Sequence, residues 1–101
     1  MADPKSLPVV WTSFALENAL RIKNYIQVKF SMNEVDAFIH LLTSFEMAVS
    51  VYPNLYPASI ARKDIRRAVL NKNLSVFYRV SKERIEVLFV QDNRCDLSDW
   101  L

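Results

Sequence analysis

Glycine is absent from all 101 residues, where average usage of about 7% would place roughly seven. P-loops, dinucleotide fingerprints, nucleophile elbows and kinase phosphate loops all need glycine, so the activities built on them are excluded. Tight turns then fall to Asn, Asp, Ser or Pro. Cysteine and histidine occur once each, as Cys95 and His40. They allow no internal disulfide and no usual zinc-ligand spacing, so neither a metal nor another cofactor is expected. No stretch approaches the ~18 apolar residues of a membrane span, and the N-terminus lacks the apolar core of a secretory signal. A cytoplasmic protein with no membrane association is expected.

What is present is an ordinary globular composition, 51% apolar and 24% charged. The length fits one domain over 1–101 with a loose N-terminal extension at 1–7. The net charge of +2 hides a strong local imbalance, because residues 62 to 84 hold eight basic and two acidic side chains, a net of +6. Arg62, Lys63, Arg66, Arg67, Lys72, Arg79, Lys82 and Arg84 supply it. Such clustering suits an anionic partner, and it also suits a solvated hairpin whose cations protect an edge strand.

Hydrophobic periodicity orders the rest. Residues 7 to 12 form a short apolar run that predicts a strand, with Thr12 or Ser13 as the cap of a following helix. Ala15, Ala19, Ile22, Ile26 and Phe30 repeat at helical spacing over 13–30. Ser31 and Glu34 have the spacing of a capping box for a second helix, striped by Val35, Phe38, Leu42, Phe45 and Val49 and ending near Ser50. After a Pro-containing loop the period becomes two, predicting strands at 64–70, 74–81 and 84–91 in an antiparallel meander. The expected architecture is α+β: an N-terminal strand, an αα-hairpin and a three-stranded meander, with the helices on one sheet face.

Period-two counting divides that meander into two faces. Ala68, Leu70, Leu74, Val76, Tyr78, Val80, Ile85, Val87 and Phe89 form the face the helices cover. Lys63, Arg67, Val69, Ser75, Phe77, Arg79, Glu86, Leu88 and Val90 form an open face of arginines among apolar side chains, a candidate binding surface. Arg79 stands opposite Glu86, so part of its charge is expected to be paired across the strands. Asn in the turn at 71–73 is expected to take the positive-φ role of glycine. His40 reads as a structural residue of the second helix, Cys95 as an incidental thiol, and Asp92, Asp96 and Asp99 as an acidic tail.

The element order, with Val76-Phe77-Tyr78-Arg79-Val80, then Ile85-Glu86-Val87-Leu88, then Arg94-Cys95-Asp96, resembles the RelE/ParE superfamily of toxin–antitoxin toxins. Trp11, Tyr25, Phe38 and the Tyr56-Pro57 pair are similar to family habits too. The resemblance implies growth inhibition, plasmid stabilization and a hetero-oligomer with a cognate antitoxin. It implies one of two targets. RelE-like members cut mRNA at the ribosome without a metal, and ParE-like members poison DNA gyrase. The second-strand basic position maps onto Arg66 or Arg67, and Arg94 is a further candidate for a phosphate. Ala68 stands where a second Lys is usual in the nuclease branch, and Ser75 where Arg is common, so the resemblance leans toward the ParE-like side. An inactive binding module of the same fold is the remaining alternative. The target-binding set is therefore Lys63, Arg66, Arg67, Phe77, Arg79 and Arg94.

Overall fold

The computed structural model describes residues 6–95. In chain order these form β1 (Val9–Trp11), α1 (Ser13–Lys29), α2 (Met32–Val51), β2 (Arg66–Val69), β3 (Leu74–Val80) and β4 (Ile85–Asp92). The α+β expectation holds. The sheet order is β1-β4-β3-β2, with β1 parallel to β4 and the other neighbours antiparallel. The N-terminal strand thus joins the meander to make a four-stranded mixed sheet. Most of the expected extension at 1–7 lies outside the described residues. Leu7 itself is tied down, since its N–H donates to Ser50 O at 3.0 Å and its carbonyl accepts from Ser50 Oγ at 2.7 Å.

Local chemistry sets the helix starts. Thr12 is extended and its hydroxyl accepts from Ala15 N at 3.1 Å, ending β1 and capping α1, a bond worth about 1 kcal/mol at such a position. Ser31 does the same for α2 through Glu34 N at 3.4 Å. The reciprocal half of the capping box is missing, because the Glu34 carboxylate accepts from Arg94 instead, at 3.0 Å. Asn71 closes the β2–β3 turn with its side chain, Oδ1 accepting from Asn73 N and Leu74 N, both at 2.8 Å. No positive φ occurs among the described residues. The expected left-handed asparagine is replaced by an Asx turn, which satisfies two backbone donors with the φ angles left in ordinary regions.

The predicted helical stripes are buried except at Phe30, with Ala15, Ala19, Ile22 and Ile26 from α1 and Val35, Phe38, Leu42, Phe45 and Val49 from α2 in the core. α1 ends at Lys29, so Phe30 falls at the cap and stays half-exposed. Against them lie Ala68, Leu74, Val76, Tyr78, Ile85, Val87 and Val90 from the sheet. Each large apolar side chain so buried contributes about 1.5–3 kcal/mol over its exposed state. Tyr78 is wholly buried, with its ring edge-on to Phe45 at 5.4 Å. Its hydroxyl donates to Pro53 O at 2.9 Å, which pins the Pro-containing loop to the core.

The far half of β4 departs from period-two counting. Val87 pairs with Tyr78 but Phe89 pairs with Phe77, so Leu88 is an extra residue, a β-bulge. A bulge reverses the alternation beyond it. Val90 and Asp92 therefore turn into the core, and Phe89 turns out, 37% exposed. The expected places of Phe89 and Val90 are exchanged. The outer edge of β2 is also occupied, because Pro57 O accepts from Arg67 N at 3.0 Å and Ser59 N donates to Ile65 O at 2.7 Å. Ala58 bridges Arg66 between these bonds, and the chain from 59 to 65 forms a loop beside the outer sheet face.

Candidate functional site

On that outer face four side chains from four neighbouring elements line up. The Arg67 guanidinium of β2 lies 5.7 Å from the centre of the Phe77 ring on β3. Phe77 meets Phe89 of β4 at 5.9 Å, tilted by 53°. Phe89 stacks on Phe14 of α1 at 5.9 Å and 19°. Strand pairing explains the first two contacts, since Phe77 is opposite both Arg67 and Phe89, and side chains opposite one another across a pair are in contact range. Phe14, 59% exposed, extends the row beyond the sheet. An exposed cation–π pair at the end of an aromatic row is an uncommon use of surface.

Two of these residues were missed in the sequence reading. Phe14 had a signal, because it falls off the buried stripe of α1 while being too large for a casual surface residue. Phe89 had none, because a single-residue bulge leaves no mark in the hydropathy pattern.

The cations around the row divide into engaged and unengaged. Arg67 and Lys63 have no carboxylate within ion-pair distance among the described residues, and both are exposed. Arg62 holds Asp64 through two bonds of 3.1 and 3.2 Å. That hydrogen bonding lowers the Asp64 carboxyl below its ordinary value. Arg79 lies loosely between Asp64 at 3.9 Å and Glu86 at 3.7 Å, the latter being the cross-strand partner expected from the sequence. Exposed pairs of this kind are worth little and exchange readily.

Of the six residues in the expected set, Lys63, Arg67, Phe77 and Arg79 share the outer side of the sheet or the loop beside it. Arg66 and Arg94 do not join them. Arg66 pairs with Tyr78 in the strand register, so it alternates toward the helical side, where Nη1 donates to Tyr56 O at 2.6 Å. Arg94 is held after the end of β4. Its Nε and Nη2 donate to the two oxygens of Asp92 at 3.0 and 2.9 Å, its Nη1 to Glu34 at 3.0 Å, and its guanidinium lies 5.3 Å from the Phe30 ring centre. With 17% of the Arg94 side chain exposed and none of the Asp92 side chain, this is a clamp between β4 and the αα-hairpin. The bonds to Asp92, followed by those to Glu34, raise the already high pKa of Arg94, so it stays charged. Asp96 and Asp99 lie outside the described residues.

His40 is exposed on α2, and Cys95 is half-buried and in no disulfide. Among the described residues no group of three His, Cys, Asp or Glu side chains is placed to hold a metal ion. None of their helices is long and apolar enough to cross a membrane.

A second surface opens on the other side of the molecule. α1 and α2 leave a groove of about 410 Å³ between them, lined by Trp11, Leu16, Leu20, Ile39, Leu42 and Glu46 among others. Leu16, Leu20 and Ile39 are 53%, 50% and 45% exposed. Trp11 is fixed at its end by Nε1 donating to Glu46 Oε1 at 2.9 Å. These leucines fall beside the buried stripes, so a helix-wheel count reads them as ordinary scattered surface apolars. Only the αα packing gathers them.

The fold is that of known toxin–antitoxin proteins. The structure superposes on a chain of the chromosomal ParDE TA system from P. aeruginosa with a TM-score of 0.72 at 14% sequence identity, covering 87% of this chain and 97% of that one. It also superposes on a chain of the E. coli DinJ-YafQ toxin-antitoxin complex with a TM-score of 0.54 at 11% identity, covering 88% and 94%. No family model and no curated protein matches the sequence.

Proposed function

We propose that this protein is the toxin of a two-protein toxin–antitoxin pair, and that it acts by occupying its target through the outer sheet face. The row from Arg67 through Phe77 and Phe89 to Phe14 carries this reading. It places a cation that has no carboxylate partner among the described residues, and three partly exposed aromatic rings, on the broad open face of a fold shared, almost end to end, with chains of toxin–antitoxin systems. Aromatic and arginine side chains are the usual anchors of protein interfaces.

The chemistry of the face favours blocking over cleavage, and hence a ParE-like target, DNA gyrase, over ribosome-bound mRNA. Metal-independent RNA cleavage needs a positioned acid and base. Among the described residues the outer row offers no histidine. Tyr78 is turned into the core with its hydroxyl committed to Pro53, and burial pushes its phenol above the ordinary value. Glu86 and Asp64 are engaged by arginines.

The partner is a cognate antitoxin, and the groove between α1 and α2 fits an amphipathic helix, whose anchors at i, i+3 and i+4 would meet Leu16, Leu20 and Ile39. Inducing the gene without its neighbour is expected to stop growth, and Arg67→Glu to restore it at equal protein level. Purified protein is expected to inhibit gyrase supercoiling and to leave translated mRNA uncut. Ribosome-dependent transcript cleavage with unaffected gyrase would reverse the choice of target.

A further inference from the structure

The outer face is shaped as well as charged. Beside the sheet, the loop from 59 to 65 and the ring of Phe77 define two adjacent apolar clefts. One, about 420 Å³, is lined by Ile60, Ala61, Arg67, Val69 and Phe77 with the chain before them. The other, about 350 Å³, is lined by Ala61, Arg62, Ile65, Phe77, Leu88 and Phe89 with the polar residues at its ends. Phe77, Ala61 and Ser59 belong to both. Ile60 stands fully exposed on the same loop. Two clefts that share one ring as their partition accept two neighbouring knobs, not one broad ligand.

The spacing and the charge narrow the occupant. In an extended chain, side chains that point the same way are two residues and about 6.7 Å apart. That is the reach across a single phenylalanine ring. Strand addition beside β2 is closed, because Pro57 and Ser59 already hold that edge, so such a chain lies over the face and is read through its side chains. The loop and the first half of β2, residues 57–67, contain Arg62, Lys63, Arg66 and Arg67 against Asp64 alone, a net of +3. Arg67 and Lys63 have no carboxylate partner among the described residues. Nucleobases suit the site less well. Phe77 and Phe89 are tilted by 53° and not coplanar, and one face of the Phe89 ring is already covered by Phe14.

We propose that the two clefts flanking Phe77 bind alternate apolar side chains of an extended acidic peptide, with Arg67 and Lys63 taking its carboxylates. The proposal rests on the outer face being the effector surface, and it names the segment that this face selects on a target protein.

Fluorescence anisotropy on the full chain tests it with labelled hexapeptides. The probe Asp-Asp-Leu-Asp-Phe-Asp presents its apolar pair at alternate positions. An isomer of identical composition, Asp-Asp-Asp-Leu-Phe-Asp, presents them side by side, a third peptide replaces every Asp by Lys, and a uridine hexanucleotide represents nucleic acid. The alternate peptide is expected to bind at least tenfold more tightly than its isomer, and neither the lysine peptide nor the oligonucleotide to compete with it. Ala61→Trp, at an exposed position lining both clefts, is expected to fill them and weaken the peptide tenfold without changing the folded spectrum. Equal binding of the two isomers, tighter binding of the oligonucleotide, or an unaffected Ala61→Trp variant overturns the proposal. Growth arrest separates this from the broader reading. Peptide binding lost in Ala61→Trp while arrest persists leaves the clefts real and refutes the outer face as effector. Absent peptide binding, with arrest abolished by Arg67→Glu, refutes the clefts and leaves the effector face standing.

Discussion

Asn18 of α1 and Val90 of β4 are 72 positions apart, and the Asn18 Oδ1 accepts the Val90 N–H at 2.6 Å in a buried setting. β1 pairs with β4 only through Val87, since Thr12 then turns the chain into α1. Beyond that point β4 has a free edge, and the bulge at Leu88 places Val90 beside the helix. A side-chain amide thus supplies the acceptor that a longer β1 would have supplied. The consequence reaches the functional face, because the same bulge turns Phe89 outward.

Asn18→Leu is expected to leave the Val90 N–H buried without a partner, at about 2 kcal/mol. The midpoint of chemical denaturation should fall while the m-value stays constant. Loss of the bulge register would show further as a change in the ring-current shifts of Phe14 and Phe89. An unchanged midpoint would mean that Val90 finds another acceptor.

Arg94 is expected to matter for folding and not for contact with a target. Arg94→Met leaves the fully buried Asp92 carboxylate without its cation, a change that costs about 3 kcal/mol when one partner of a buried pair is removed. Arg94→Met with Asp92→Asn should recover a good part of that loss, because no buried charge is left unpaired. Thermal unfolding of the two variants distinguishes this from a surface role, for which both would melt with the parent.

Tyr78 gives the fold an alkaline weakness. Its phenol is raised above the ordinary value of 10.0, chiefly by burial. Above pH 10 the unfolded chain therefore loses that proton first, so stability is intact below the ordinary value and falls as pH rises toward the folded one. Tyr78→Phe should be less stable at neutral pH through loss of the bond to Pro53, yet show a shallower decline above pH 10. Parallel declines in the two proteins would place the alkaline sensitivity elsewhere.

The α1–α2 groove should be separable from the fold. Leu16→Asp and Leu20→Asp change half-exposed positions, where stability effects are typically within about 0.5 kcal/mol. Co-purification with the product of the adjacent reading frame is expected to fall at least tenfold, with the melting temperature of the isolated protein nearly unchanged. Retained co-purification would move the partner off this groove.

The sequence by itself determined the element order, the Ser31 cap, the choice of Thr12 or Ser13 for the first cap, the two buried helical stripes apart from Phe30, and the register of β2 against β3. These are properties of short range: a Ser or Thr before an apolar run, a period of 3.6 or 2, and an asparagine able to close a turn with its own side chain. The missing glycines also kept their meaning, since Asn71 and Ser31 met the turns with side-chain hydrogen bonds and ordinary φ angles. Tertiary structure decided what holds each cation. Period-two counting already set Arg66 and Arg67 on opposite faces, but only the fold turns one to Tyr56 and lays the other on Phe77. Arg94 follows the last strand among acidic residues, and it is held both by its near neighbour Asp92 and by Glu34, 60 positions away on α2. The bulge at Leu88 is of the same kind. It is favoured where β1 stops and Asn18 begins, a junction of remote segments, and its effect is to exchange Val90 for Phe89 between core and surface.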